Sequence, residues 1–189
     1  MSRWQPNARE RLERAALELF IEQGFAETTV PQITARAGLT TRTFFRHFAD
    51  KREVLFAREH EVPELAARMI AEAPADLTPM QLIAGGLERV AAAQFSDGVE
   101  SMQARKAVIE SDAGLKEREL QKIAALSEAI RLGFLERGVD ELTANLVAHV
   151  TVTVFGVSIG RWLSQDGDAP LPDLLHDTLG ALRTLLAAS

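Results

Sequence analysis

Apolar positions recur at helical spacing along most of the chain, and no stretch alternates with period two for long, so no strands are expected. Leu12, Ala16, Leu19 and Phe20 form one stripe, in a helix that Asn7 and Glu10 cap after Pro6 and that Gly24 ends. A short second helix is predicted from Thr29 to Ala37. Thr29 and Gln32 make a capping box, Pro31 sits in the first turn, and Gly38 stops it. A third helix follows at once, capped by Thr40 and lasting barely two turns. Val30, Ile33, Ala37, Leu39 and Phe44 are spaced to face inward and to set the two short helices at an angle. A short helix, a glycine turn and a second short helix predict a helix-turn-helix. Asp50 and Glu53 predict a further helix, through Val54, Leu55, Leu65, Met69 and Ile70. Pro63 falls inside it and either kinks a connector or divides two helices.

Beyond it, Thr78 and Gln81 with Pro79 start a helix carrying Ile83, Leu87, Val90 and Ala91, and Ser96-Asp97-Gly98 reads as a loop. A helix through Met102, Val108 and Ile109 breaks near Asp112 to Gly114, and another holds Leu120, Ile123, Ile130 and Phe134 up to Gly138. From Asp140 to about Ser164 the pattern is apolar nearly all round, so that helix must be covered on both sides. The last helix repeats leucine at 171, 174, 175, 179, 182, 185 and 186. Together these two predict a four-helix bundle with a second copy, through Val154, Gly156, Val157, Gly160, Leu175, Leu179, Leu182 and Leu186. The alternative is that both helices are core. The expected fold is all-α with about nine helices, a helix-turn-helix domain over 1–50 and a ligand-sensing and dimerisation domain over 51–189.

Composition narrows the class. With 47% hydrophobic and 25% charged residues the chain is globular, and with no cysteine it has neither disulfides nor thiol chemistry, which fits a cytoplasmic setting. The polar N-terminus is no signal peptide, and no uncharged window is expected to reach membrane-spanning length, so no membrane partner is expected. The net charge of −6 is unevenly shared. Residues 1–60 hold ten Lys or Arg against eight Asp or Glu, and the remainder eleven against nineteen. The basic excess therefore coincides with the helix-turn-helix.

The outward side of the third helix carries Thr41, Arg42, Thr43, Arg46 and His47 and no acidic residue, which suits a phosphate-rich partner. Arg42 and Thr43 are expected to read bases of double-stranded DNA, and Thr29, His47 and Lys51 to hold phosphates. Thr28, Thr40, Phe45 and Arg46 complete the candidate contacts. Arg3 and Arg9 could reach a phosphate but read better as solvated charges.

Catalytic motifs are sparse. There is no P-loop, G-x-G-x-x-G or H-E-x-x-H, and neither enzymatic activity nor a cofactor or metal is expected. Ser158 sits in a G-x-S-x-G run, but within a helix rather than at a strand-to-helix turn. An α-helical esterase using Ser158 is kept only as a rival. His149 reads first as a hydrogen-bonded core histidine. Met69, Met80, Met102, Phe95, Phe134, Phe155 and Trp162 could line a cavity or fill a core, and by sequence alone core is favoured.

The run AGLTTRTFFRHFADKREVLF resembles the DNA-binding signature of the tetracycline-repressor (TetR) family of bacterial transcriptional regulators, over about the first third of the chain. The resemblance implies a homodimeric regulator, a repressor, that binds a palindromic operator and releases it when a small hydrophobic molecule fills the C-terminal domain. It makes Met69, Met102, Phe134, His149 and Phe155 candidate pocket residues. A helix-turn-helix regulator with no small-molecule ligand is the alternative. The family often has tyrosine at the second aromatic, whose hydroxyl touches a phosphate. Phe45 stands there, so that contact is absent or passes to Arg46.

Overall fold

The structure, a computed structural model, describes residues 8–56, 61–94 and 98–188. Nine α-helices and one short 3-10 turn make up the regular structure of the described residues, and they contain no strand. Two compact units share the chain: Met1–Arg58 with Ala104–Glu119, and Glu59–Gln103 with Leu120–Ser189.

In the first unit α1 (Ala8–Gln23) packs on α2 (Val30–Ala37), on α3 (Thr41–His47) and on the 3-10 turn Glu53–Phe56. Leu12, Ala16, Leu19, Phe20, Ile33, Phe44, Phe48 and Phe56 form its core, joined by Val108, Ile109 and Leu115. The caps work as the residue types dictate. Gln32 Oε1 accepts from the Thr29 N–H and hydroxyl, both at 2.8 Å. Gly38 takes φ 63°, which lets its N–H reach Ala35 O at 3.1 Å and the Leu39 N–H reach Thr34 O at 2.8 Å, closing α2. Asn7, Pro6 and Arg3 lie outside the described residues.

The helix expected from Asp50 is not there. Asp50 Oδ1 accepts from the Arg52 and Glu53 N–H groups at 2.7 and 3.0 Å, and only the 3-10 turn follows. Val54, Leu55 and Phe56 are all buried. Within the described helix α4 (Glu61–Glu72), Pro63 lies in the first turn, where its missing N–H breaks no bond of that helix. Residues 57–60 lie outside the described set.

The second unit contains α4, α5 (Pro79–Gln94), most of α7 (Ala113–Glu136), α8 (Glu141–Ser164) and α9 (Leu171–Ala187). Helix α6 (Val99–Glu110) begins in it. The Thr78–Gln81 box opens α5 as expected, with Thr78 N–H on Gln81 Oε1 at 2.9 Å. Of the loop expected at Ser96-Asp97-Gly98 only Gly98 is described, and Phe95 is not. The Arg137 guanidinium donates to the carbonyls of Ile70, Ala73 and Pro74 at 2.7–2.9 Å and so caps the end of α4. Gly133 lets α7 approach α4, because a Cβ there would meet Ile70 at 3.2 Å.

Contrary to expectation, α8 is long and apolar enough to cross a membrane by length and composition. One side of it lies against α9 and α5. Ala144, Ala148 and Val154 are buried there.

Candidate nucleic-acid interface

Helix α3 has seven residues, and its burial divides it cleanly. Phe44 is fully buried, and the following Phe48 nearly so, which fixes the inner side. Thr41, Arg42, Phe45 and Arg46 form the exposed side. Thr40 caps the helix by accepting the Thr43 N–H at 3.1 Å. The two hydroxyls, of Thr40 and Thr43, meet at 3.0 Å, so half-buried Thr43 is turned toward the cap while Arg42 is exposed. Arg46 donates toward His47 Nε2 at 3.4 Å. No acidic residue lies on α3. This is a small, acid-free, outward-facing surface with planar and hydroxyl donors, chemistry matched to base edges and phosphates.

Thr29 is exposed at the start of α2, where a phosphate could approach. Two other expected contacts turn inward. Thr28 is only 1% exposed, and its hydroxyl donates to Gly24 O at 2.8 Å. The Lys51 ammonium donates to the carbonyls of Phe25, Ala26 and Thr28 at 2.7, 3.0 and 2.8 Å and lies 4.5 Å from the centre of the Phe25 ring. Its three protons are thereby used, which leaves none for a phosphate. Lys51 instead pins the α1–α2 loop that presents Thr29.

Charge pairs brace this unit. Arg36 on α2 donates to Glu22 on α1 at 2.7 and 2.9 Å, which holds the Glu22 carboxyl below its ordinary range. At Asp50 burial pushes the pKa up, but hydrogen bonds from the Glu53 backbone and the Arg52 side chain outweigh it and the value is lowered. Arg105, which sequence reading passed over, donates twice to Leu55 O at 3.0 and 2.7 Å. Burial lowers its pKa, against the raising charge of Glu119. Nothing local marks it, because Leu55 lies fifty residues away.

The second unit holds a cavity of about 320 Å³ among α4, α5, α7 and α8. Met69, Phe134 and Phe155 line it, together with Ile83, Leu126 and Ile130. Met102 and His149 do not. His149 is no core histidine either: it is exposed on α8, with Nδ1 donating to Asn145 O at 2.9 Å. The pair Gly85-Gly86 inside α5 lines the cavity, and a Cβ at Gly85 would meet nothing within 4 Å. That glycine pair was the overlooked signal, since glycine inside a helix costs roughly 1 kcal/mol each against alanine.

On α8 and α9 the expected interface residues separate. Gly156, Val157, Gly160 and Leu186 face outward, and Leu182 is half-buried. Val154, Leu175 and Leu179 are buried in the chain's own core. Burial inside one chain leaves them no surface for a partner. The outward positions 142, 146, 149, 153, 156, 157 and 160 recur at helical spacing, with Leu142 70% exposed, and Leu185 adds to them on α9. Ser158 is fully buried and donates to Thr178 Oγ1 at 2.9 Å, so it serves as a staple between α8 and α9 rather than a nucleophile.

Residues 13–57 match the family described as bacterial regulatory proteins, tetR family. The transcriptional regulator TcmR of Streptomyces glaucescens is 40% identical over 82 residues, which cover 43% of this chain and 36% of TcmR, so the match spans about a third of that relative. The transcriptional repressor Rv3405c of Mycobacterium tuberculosis is 31% identical over 160 residues, or 82% of this chain and 76% of the relative. Among solved structures, the complex of SmeT with triclosan resembles 95% of this chain over 90% of its own, with a TM-score of 0.64 at 22% identity.

Proposed function

The chain belongs to the TetR family of transcriptional regulators, and from that premise we propose that it is a cytoplasmic repressor that binds a palindromic operator as a homodimer and releases it when a small apolar molecule enters the cavity of its second unit. The observation that carries this reading is the exposed side of α3, which offers Thr41, Arg42 and Arg46 with no acidic residue. The outward apolar residues of α8 and α9 favour the dimer, and two copies of α3 would then match half-sites ~34–36 Å apart or a multiple of it. The cavity favours the ligand, and its lining is mainly aliphatic and aromatic. SmeT, of the same fold, is seen with triclosan.

A ligand acts only through its differential affinity for two conformations. Coupling of ~1–3 kcal/mol would weaken operator binding roughly 5- to 150-fold, and DNA would weaken the ligand equally. The test begins with duplexes enriched from a random pool. Arg42→Ala is expected to cost ~1–3 kcal/mol on the enriched site and to relax specificity at one base pair, with little change on random DNA. Equal losses on both would remove Arg42 from the role of base reader.

A further inference from the structure

The exposed side of α3 contains one residue that does not fit a polar reader. Phe45 is 60% exposed, flanked by Thr41, Arg42 and Arg46. At the α-helical period it lies about 40° from Thr41 and about 60° from Arg42 around the axis, and so between them. Its ring stands edge-on to the buried Phe44, with centroids 5.4 Å apart and planes at 82°, which gives it a fixed backing. Any approach that brings Arg42 to base edges therefore carries Phe45 into the same groove. There it has no hydrogen bond to offer. The one apolar group that base pairs display in the major groove is the thymine C5-methyl.

Resting on the operator-binding reading above, we infer that Phe45 is a specificity residue that packs on a thymine methyl group and requires thymine at one fixed position of each half-site. The neighbouring threonine and arginine side chains supply hydrogen bonds, and Phe45 supplies discrimination through the displacement of water from a methyl.

The experiment uses the full chain and a random duplex pool. After enrichment, each thymine of the half-site is replaced singly by uracil, which removes the methyl and leaves the pairing edge intact. One position per half-site is expected to lose roughly four-fold in affinity, the transfer value of a single methyl group. In Phe45→Ala that position alone stops distinguishing thymine from uracil, while uracil effects elsewhere stay as in the wild type. Phe45→Leu, which keeps an apolar tip, retains part of the distinction. Circular dichroism of each variant is expected to match the wild type, since the side chain contributes little to the core. A wild type indifferent to uracil at every position overturns the inference, as does a Phe45→Ala protein that still discriminates. Failure to enrich any duplex is a different result, and it overturns the operator-binding reading itself.

Discussion

In the first unit the short helices α2 and α3 close around a core that leaves few large apolar residues outside, whereas in the second the helices α8 and α9 leave several exposed. Helices of eight and seven residues are unstable alone, since the cost of nucleation outweighs so few hydrogen bonds. Arg11 on α1 donates to the carbonyl of Ala37 at the end of α2, while Lys51 bonds carbonyls of the α1–α2 loop and Arg105 bonds that of Leu55 in the 3-10 turn. Among the described residues from Ala8 to Phe56, the large apolar side chains left exposed are Ile21 and Phe45. The second unit exposes Leu142, Leu146, Val157, Leu185 and Leu186 along α8 and α9. Its core is complete on one side and uncovered on the other.

The sharpest way to break this comparison is Lys51→Met. If the ammonium pins the α1–α2 loop, the variant loses three bonds from one charged donor, and stability falls by about 3 kcal/mol. Urea unfolding measures it. Unchanged stability with a flatter salt dependence of DNA binding would return Lys51 to a phosphate.

Next in size is Gly156→Leu. A Cβ at Gly156 meets nothing within 4 Å in the single chain, so the monomer is expected to fold normally. Overpacking in the dimer is expected to weaken association by ~1–3 kcal/mol. Sedimentation across a dilution series would show a shift toward monomer, and an unchanged dimer would place the contact elsewhere.

The smallest effect sharpens how the second unit starts α8. Asp140 accepts the Thr143 N–H at 3.0 Å, and hydrogen bonds from Thr143 hold its carboxyl below the ordinary value of 3.8. A depressed carboxylate contributes stability that is present above its unfolded value and lost as pH falls through the folded one. The melting temperature is therefore expected to drop slightly more steeply below about pH 4 in the wild type than in Asp140→Asn, which keeps a cap without a charge. Parallel curves would show that the charge adds nothing.

What the sequence by itself determined is what depends on neighbours within a turn or two. The boxes at Thr29 and Thr78, the stop at Gly38, the cap at Thr40 and the periodic stripe of α1 all appear where the residue types put them, because capping and amphipathicity act over three or four residues. The acid-free side of α3 was legible for the same reason. Only the tertiary structure decided which polar groups face water. Thr28 and Lys51 look like surface donors in the sequence, yet they bond carbonyls brought near by the α1–α2 loop. Leu175 and Leu185 belong to the same leucine repeat, yet one is core and the other is exposed. Met69 and Met102 are alike in composition, and only one lines the cavity. Each of these outcomes depends on which distant segment packs alongside, and a periodic pattern carries no information about that.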